Sequence, residues 1–328
     1  MSKKKRVFSG IQPSGRLHLG NYIGAIKQWV ELQKDYECFY CVVDLHALTV
    51  PQDPKILKER IYQAAALFIA CGVDPEKSVL FIQSHNPDHA NLAWIMDCVT
   101  SMGQMERMTQ YKSKAKKQKD FASVALFNYP ALMVADILLY QTDLVPVGED
   151  QKQHVELARD LAERFNSRYQ KVFRIPEVKM LKVGARIMSL QNPNSKMSKS
   201  EEDPNGTIDL LDSPEVVLKK IKSAVTDSGK EIVFREDKPA ISNLLTIYSQ
   251  LSGRSVKDLE KEYAGKGYGE FKQDLAQIVV NFLVPIQKKY KEVHNKKTLD
   301  KVLERGLAKS RSISQENLKK AYLALGIR

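Results

Sequence analysis

A glycine-rich segment near the start of the chain has the residue types of a phosphate-binding turn. Residues 10–21 read Gly-Ile-Gln-Pro-Ser-Gly-Arg-Leu-His-Leu-Gly-Asn, between a predicted strand and a predicted helix. Glycines let the backbone approach a phosphate closely, and the free N–H groups at a helix start favour an anion. His18 can then donate a hydrogen bond to a phosphoryl oxygen. A plain strand-to-helix turn is the alternative explanation.

A second segment, Lys-Met-Ser-Lys-Ser at residues 196–200, lies in a polar, turn-rich stretch. Two lysines on a loop can follow negative charge that develops late in a reaction, as it does on a departing pyrophosphate. An exposed basic loop is the alternative, but so specific a string favours the chemical role.

A third group lies in an apolar helical stretch. Tyr129, Met133 and Asp136 are spaced i, i+4 and i+7, so they share one face of a helix that Pro130 is expected to begin. An unpartnered carboxylate in such apolar surroundings is costly. Asp136 is therefore expected either to bind a ligand or to pair with a core basic residue or cap a neighbouring helix.

The elements that position these groups follow an alternating pattern. Apolar runs predict four strands, and helical periodicity between them predicts helices near residues 21–34 and 56–71. Strands separated by helices indicate an α/β fold with a Rossmann-like, doubly wound parallel sheet, which binds nucleotides at the carboxyl ends of its strands. The four strands are expected at residues 6–11, 38–43, 79–83 and 144–148.

The last third of the chain is predicted to be an all-helical domain. Ser213, Ser255 and Ser314 have the sequence context of helix starts, and Pro285 is expected to kink a helix. The division is placed between a catalytic domain at residues 1–203, with an inserted helical segment at about 104–170, and a C-terminal domain at residues 204–328.

Composition excludes several classes of protein. With 328 residues, 43% hydrophobic and 27% charged, the chain is expected to fold as a globular protein rather than remain disordered. It has no apolar run of the ~20 residues that span a bilayer and no secretory signal, so we expect no membrane association. Four cysteines are too few for a disulfide framework, which favours a reducing, cytoplasmic compartment.

The charge distribution points to a polyanionic partner. The chain carries 51 basic and 39 acidic residues, and residues 286–328 alone hold 12 basic against 4 acidic. Smaller basic clusters lie at residues 3–6 and 112–119. Basic surface concentrated at one end favours nucleic acid, and a solvated basic helix face is the alternative.

Some potential metal ligands and aromatic residues are discounted. Cys38 and Cys41 are three apart in a predicted strand, so they point to opposite faces. His85 and His89 flank a turn, which makes a zinc pair unlikely, and no zinc site is expected. The tryptophans, Trp29 and Trp94, are interpreted as core or helix-packing residues.

The two chemical segments together resemble the signatures of class I aminoacyl-tRNA synthetases. His18-Leu-Gly-Asn21 is similar to the His-x-Gly-His/Asn motif, and residues 196–200 match the Lys-Met-Ser-Lys-Ser loop in full. The short core and helical tail resemble the tyrosine and tryptophan branch. Blocks at residues 10–15, 135–140, 145–151 and 184–190 are more similar to the bacterial tryptophanyl-tRNA synthetases, and the resemblance covers nearly the whole chain.

The resemblance implies ATP-dependent ligation of L-tryptophan to tRNA(Trp) through a tryptophanyl-adenylate, releasing pyrophosphate and AMP. Such enzymes use no covalent nucleophile, so catalysis rests on positioning and electrostatics. It further implies Mg²⁺ with ATP, a homodimer with contacts at about residues 104–170, and anticodon binding by residues 204–328. Some relatives hold an iron–sulfur cluster near the C-terminus; none is expected here because no cysteine follows Cys98.

The resemblance also assigns site residues. Asp136 corresponds to the acceptor of the indole N–H, and His46 to a position near the active site, although a packed structural histidine is equally compatible. The implied catalytic residues are His18, Lys196, Lys199 and Lys114. The implied ATP-binding residues are Gln12, Pro13, Ser14, Gly20, Asn21, Gly148, Glu149, Asp150, Ile187, Lys196, Met197, Ser198, Lys199 and Ser200. The implied tryptophan-binding residues are Phe8, Gly10, Tyr129, Met133, Asp136, Val145, Val147 and Gln151.

Three other functions remain open from the sequence. A tyrosine-specific synthetase can also direct an aspartate toward its substrate's phenol. A nucleotidylyltransferase shares the His-x-Gly-His chemistry but has no need of a basic helical tail. A catalytically silent, synthetase-like RNA-binding protein is disfavoured because His18, Gly20, both loop lysines and Asp136 are all present.

Overall fold

The structure is a computed structural model that describes residues 4–109, 122–180, 186–198 and 203–327. Three predicted site residues, Lys114, Lys199 and Ser200, lie outside the described residues, as does the basic cluster at 112–119.

A single five-stranded parallel sheet forms the centre of the fold, with the order β3-β2-β1-β4-β5. After β3 the chain crosses to the other side of β1, so the winding direction reverses between β1 and β4. Ligands of doubly wound sheets bind at this switch point, outside the carboxyl ends of the strands. The parallel sheet confirms the predicted fold class. The strands are β1 (Arg6–Ile11), β2 (Glu37–Val42), β3 (Ser78–Ile82), β4 (Leu144–Val147) and β5 (Glu177–Met180).

Successive side chains along β1, β2 and β3 enter two different cores. In β2, Cys38 and Tyr40 pack on one face of the sheet, whereas Phe39 and Cys41 pack on the other. The prediction that Cys38 and Cys41 point to opposite faces is therefore confirmed. The register pairs Phe8 of β1 with Phe39 of β2, which places both aromatic rings on the same face.

Helices cover both faces. The first helical segment is continuous but changes pitch, because a π-helical stretch (Tyr22–Ile26) separates α1 (Leu19–Asn21) from α2 (Lys27–Leu32). The remaining helices of this part are α3 (Asp44–Ala47), α4 (Pro54–Ala70), α5 (Asp88–Val99), α6 (Met102–Glu106), α7 (Val124–Leu138) and α8 (Lys152–Arg168), with 3₁₀ segments at Gln83–His85, Glu149–Gln151 and Pro204–Gly206.

The last helix returns to the sheet. A Cβ atom placed on Gly306 would lie only 1.8 Å from the carbonyl oxygen of Leu80 in β3, so this crossing requires glycine. Ion pairs reinforce it: Lys309 contacts Glu37 at 3.3 Å and Arg305 contacts Glu76 at 2.6 Å. The C-terminal helices are α9 (Pro214–Ser223), α10 (Pro239–Ser252), α11 (Val256–Glu262), α12 (Tyr268–Val293) and α13 (Lys296–Ala324).

Several helix boundaries differ from expectation. Pro130 lies inside α7, because Ser123 caps that helix by accepting from the Leu126 N–H. By contrast, Pro285 lies inside a helix, α12, as expected, and the kink predicted there stays a prediction. Ser314 lies in the middle of α13, where its hydroxyl donates to Asp88 instead of capping a helix.

Two further expectations are corrected. Trp29 is buried as predicted, but Trp94 on α5 is 71% exposed. Strand β5 has no counterpart in the prediction, because Glu-Val-Lys-Met at the sheet edge contains no apolar run. Across the described ranges, no helix combines the length and apolar character needed to cross a membrane.

Candidate active site

Two adjoining cavities open at the carboxyl ends of β1 and β4. The inner cavity, of about 420 Å³, reaches down to Asp136, and the outer cavity, of about 460 Å³, is lined by the turn before α1. The two form one continuous cleft, because Asn21, Gly24, Ala25, Gly148, Asp150 and Lys196 line both.

The π-helical stretch supplies part of this shared wall. Gly24 and Ala25, which face both cavities, lie within it. A π-helical turn is uncommon and frequently occurs at functional sites. The sequence carried no signal for it, because helical periodicity alone does not distinguish the two pitches.

The inner cavity has apolar walls and one buried charge. Its walls come from Phe8 of β1, Val145 and Val147 of β4, and Tyr129 and Met133 of α7. Asp136, 1% exposed, contributes the carboxylate. The eight predicted tryptophan-binding residues all line this cavity: Phe8, Gly10, Tyr129, Met133, Asp136, Val145, Val147 and Gln151.

Three side chains hold the Asp136 carboxylate. Oδ1 accepts from Gln83 Nε2 and from His89 Nδ1, both at 2.6 Å, and Oδ2 accepts from His46 Nε2 at 2.8 Å. Burial acts to raise the pKa of Asp136, but the hydrogen bonds and charges of His46 and His89 outweigh it and hold that pKa below its ordinary range. The group is therefore an ionised hydrogen-bond acceptor at neutral pH.

The two carboxylate oxygens have different surroundings. His46, on Oδ2, lines the cavity, whereas Gln83 and His89, on Oδ1, are fully buried and do not line it. Oδ2 is thus the oxygen placed to meet a ligand. Nearby, the Tyr129 hydroxyl is hydrogen bonded to His154 Nε2 at 2.9 Å, and burial raises the pKa of Tyr129.

The outer cavity is built from chain turns. His18 precedes α1 and is 3% exposed, and its backbone N–H donates to Asn21 Oδ1 at 3.1 Å. A Cβ on Gly20 would lie 3.0 Å from the His18 ring, so glycine allows the ring to pack against this turn. The predicted residues lining this cavity are His18, Gly20, Asn21, Gly148, Glu149, Asp150, Ile187 and Lys196.

The remaining predicted nucleotide residues are placed differently. Gln12 lines the inner cavity, and Pro13, Ser14, Met197 and Ser198 line neither. Met197 is buried, and its backbone N–H donates to Ile187 O at 3.0 Å, which anchors the loop that presents Lys196.

Opposite charges face each other across the outer cavity. Partial burial acts to raise the pKa of Asp150, but a hydrogen bond from Gln151 and the positive charge of Lys196 together lower that pKa. The cleft thus combines a helix start, a buried histidine and an exposed lysine at one end with a buried carboxylate at the other.

Comparison with known proteins decides the family. A family model described as tRNA synthetases class I (W and Y) matches residues 1–284. The chain is 56% identical over 325 residues to the tryptophan–tRNA ligase of Bacillus subtilis, covering 99% of this chain and 98% of that one. The chain belongs to the class I tryptophan–tRNA ligases.

Two solved tryptophanyl-tRNA synthetases share the whole fold. The Mycoplasma pneumoniae enzyme superposes with a TM-score of 0.91 at 38% identity, covering 99% of this chain and 98% of that one. The Campylobacter jejuni enzyme, whose structure was solved with ADP and tryptophan, gives a TM-score of 0.83 at 40% identity, covering 98% and 99%. The predicted enzyme class, a tryptophan–tRNA ligase, is confirmed, and the tyrosine-specific alternative is not favoured.

Sequence reasoning missed some of the side chains that support the cleft. It discounted His89 as a turn residue and gave Gln83 no role, yet both hold Asp136. A signal was available: Gln83 comes directly after β3, His46 lies in α3 just past β2, and the carboxyl ends of these two strands meet at the same sheet edge. In the part of the chain that the structure describes, no group of three or more His, Cys, Asp or Glu side chains is arranged to hold a metal ion.

Proposed function

We propose that the inner cavity binds L-tryptophan and the outer cavity binds ATP, so that the substrates meet where the cavities join. The observation that carries this assignment is the Asp136 carboxylate, which is buried, hydrogen bonded to His46 and part of the lining of an apolar cavity. An ion pair exposed to solvent would not need an apolar cavity around it. An aromatic ligand with one hydrogen-bond donor fits this cavity, because its ring packs on the apolar walls and its donor meets the carboxylate.

Tryptophan recognition follows from the two surfaces of the inner cavity. The indole ring packs between Phe8 and Val145 on one side and Met133 on the other, and its N–H donates to Asp136 Oδ2. A site built around such a hydrogen bond can reject an analogue that lacks the donor by about 10⁴-fold. His46 shares the same oxygen and orients it.

The outer cavity places the nucleotide. Ile187 lies beside the adenine, Gly148, Glu149 and Asp150 beside the ribose, and His18 with the α1 start beside the phosphates. ATP enters as its Mg²⁺ complex, as phosphoryl chemistry generally requires.

The reaction needs no enzyme nucleophile. A tryptophan carboxylate oxygen attacks the α-phosphorus, and the bond to the bridging oxygen of pyrophosphate breaks. Lys196, together with Lys199, stabilises the charge that builds on pyrophosphate. The 3′-terminal ribose hydroxyl of tRNA then attacks the carbonyl carbon of the adenylate, and AMP leaves.

The tRNA is proposed to bind the C-terminal helices in the cytoplasm, with its anticodon on residues 204–328. Not all of the basic charge there is available, because Lys309 and Arg305 of α13 pair with Glu37 and Glu76 at the sheet edge. The exposed lysines of α12 and α13 are left for the phosphates. We expect binding to weaken steeply with salt for this reason.

A homodimer is proposed on apolar surface that this single chain leaves exposed. Trp94 on α5, Met102 on α6 and Val124 at the start of α7 are 71%, 65% and 77% exposed. An exposed apolar cluster is typical of an interaction surface. Trp94 and Met102 extend the proposed contact beyond the segment at 104–170. Sedimentation velocity should give the mass of a dimer, and a 37.2 kDa monomer at micromolar concentration would contradict this proposal.

The activity is tested by amino-acid-dependent ATP–pyrophosphate exchange with Mg²⁺, across all twenty amino acids and without tRNA. Exchange with tryptophan alone is the expected result. Exchange with tyrosine would keep the mechanism and overturn the role of Asp136. No exchange from folded protein that still binds tRNA would instead support a synthetase-like RNA-binding protein.

A further inference from the structure

A buried chain of hydrogen bonds connects Asp136 to the last helix. From Asp136 Oδ1 it passes to His89 Nδ1 at 2.6 Å, and from His89 Nε2 to the Tyr140 hydroxyl at 2.7 Å. Asn86 Nδ2 then bonds both the Tyr140 hydroxyl, at 3.2 Å, and Ser314 Oγ of α13, at 2.9 Å. We call Asp136, His89, Tyr140, Asn86 and Ser314 the Asp136 relay.

The direction of each hydrogen bond in the relay is determined by chemistry. The ionised carboxylate can only accept, so His89 Nδ1 donates to it, and the Tyr140 hydroxyl is placed to donate to the other ring nitrogen, Nε2. Burial raises the pKa of Tyr140 well above its usual value, so this hydroxyl keeps its proton.

At the far end of the relay, Asn86 donates both to Tyr140, toward Asp136, and to Ser314, away from it. The Asp88 backbone N–H donates to Asn86 Oδ1, which turns Nδ2 of that amide toward Tyr140 and Ser314. The Ser314 hydroxyl donates to Asp88 Oδ2 at 2.6 Å and so accepts from Asn86. With the Tyr140 hydroxyl donating to His89, each hydrogen bond from Asn86 to Asp136 points toward the carboxylate, and such aligned chains strengthen one another.

The relay acts on the oxygen that does not face the ligand. His89, Tyr140 and Asn86 are fully buried and do not line the inner cavity. The Tyr140 ring is itself held between aromatic neighbours, stacked on Phe8 and Phe39 at centroid distances of 5.6 and 5.0 Å. Neither His89 nor Tyr140 can rotate without disturbing this packing.

We propose that His89 and Tyr140 are positioning residues for amino-acid selection: His89 fixes Oδ1 of Asp136 and Tyr140 fixes the His89 ring, so that Oδ2 stays aimed at the indole N–H. This inference rests on the proposed placement of tryptophan in the inner cavity. It predicts that a residue without contact to the substrate controls discrimination at the indole nitrogen.

The test compares tryptophan with 3-(1-benzothiophen-3-yl)alanine, in which sulfur replaces the indole N–H, in ATP–pyrophosphate exchange. Tyr140→Phe should raise KM for tryptophan about 5-fold, the worth of its hydrogen bond to His89, and lower the tryptophan-to-analogue ratio of kcat/KM by a similar factor. KM for ATP should not change. His89→Leu, which removes a bond to a charged group, should lower the ratio about 10- to 100-fold.

Two variants separate positioning from structural support. His89→Asn retains a donor near the Nδ1 position, so it should recover part of the discrimination lost in His89→Leu. Ser314→Ala removes only the far end and should have the smallest effect of the series. The comparisons among Tyr140→Phe, Ser314→Ala and wild type stand even where His89→Leu fails to fold.

The matched control is Tyr40→Phe. Tyr40 is also fully buried, and Tyr40→Phe loses the hydrogen bond to Trp29 O at 2.8 Å, whereas Tyr140→Phe loses those to His89 and Asn86; Tyr40 packs on the other face of the sheet. It should lower thermal stability like Tyr140→Phe and leave the substrate ratio unchanged. If Tyr140→Phe and Tyr40→Phe gave equal tryptophan-to-analogue ratios of kcat/KM, the positioning role of the relay would be overturned. The proposed function would still hold, provided that the wild type showed tryptophan-dependent exchange. Wild-type protein without tryptophan-dependent exchange would overturn both.

Discussion

The two ends of the cleft are built in opposite ways. In the inner cavity the polar groups around Asp136 are buried and hydrogen bonded to one another before any ligand arrives. In the outer cavity Glu149, Asp150 and Lys196 are exposed, and they lie on a 3₁₀ segment and a loop rather than on strands or long helices.

This difference matches the two tasks of the enzyme. Selection among amino acids requires a fixed acceptor, because a carboxylate free to rotate would lose discrimination between a donor and its isostere. Phosphoryl transfer requires groups that meet charge as it develops, which side chains on a loop can do. We therefore expect substitutions in the inner cavity to change selection and substitutions in the outer cavity to change rate.

The largest effect is expected at the outer end. Lys196→Ala should lower kcat for tryptophan-dependent pyrophosphate exchange by about 10²- to 10³-fold, because it removes charge that acts in the transition state. KM for tryptophan should stay within about 2-fold, since the amino acid does not depend on this interaction. Steady-state exchange kinetics give both values.

The control for Lys196→Ala is Lys77→Ala, which removes an exposed lysine paired with Asp74 far from the cleft. It should leave kcat unchanged. If Lys196→Ala instead raised KM for tryptophan and left kcat unchanged, the proposed distinction between an inner end that selects the amino acid and an outer end that sets the rate would be wrong.

The outer end was also the easier end to predict. His18, Gly20 and Asn21 lie within four residues, and Lys196 belongs to an unbroken string, so local sequence contains most of the information. The π-helical stretch at Tyr22–Ile26 and the edge strand at Glu177–Met180 escaped prediction, because neither has a distinctive local pattern.

The second largest effect is expected at the inner end. Asp136→Asn keeps the side-chain volume but removes the charge and leaves one of three donors without an acceptor. KM for tryptophan should rise about 10- to 100-fold, while KM for ATP should not change. Unaltered KM for tryptophan would exclude the proposed role of Asp136.

The matched control is Asp212→Asn, which alters another buried carboxylate, 2.7 Å from Lys220 Nζ and outside the cleft. Both variants should be less stable than the wild type. Only Asp136→Asn should change the kinetics of tryptophan.

The inner end could be predicted only in part. Helical spacing and resemblance found Asp136 and the apolar walls, since these residues share one helix face or one strand. Resemblance also placed His46 near the active site, but the donors His89 and Gln83 could not be found this way, because they lie 47 and 53 residues from Asp136 along the chain. Only the strand order brings them together, at the carboxyl ends of β2 and β3.

The smallest effect is expected in the pH dependence of the free energy of unfolding, which should differ between the Asp136 end and the Asp150 end of the cleft. The pKa values of Asp136 and Asp150 are both held below the ordinary range, so each carboxylate stabilises the fold above about pH 4, the value of an unfolded aspartate, and this stability is lost as pH falls through the folded pKa. Asp136 is buried whereas Asp150 is exposed at the rim, where solvent screens its partners.

Urea unfolding at pH 7, 5, 4 and 3 should therefore show a large difference in the free energy of unfolding between the wild type and Asp136→Asn at pH 5 to 7. This difference should narrow below pH 4. The gap for Asp150→Asn should be smaller throughout. Equal gaps for the two variants would mean that the inner carboxylate is no more firmly held than the outer one, and the contrast between the two ends would then have no energetic basis.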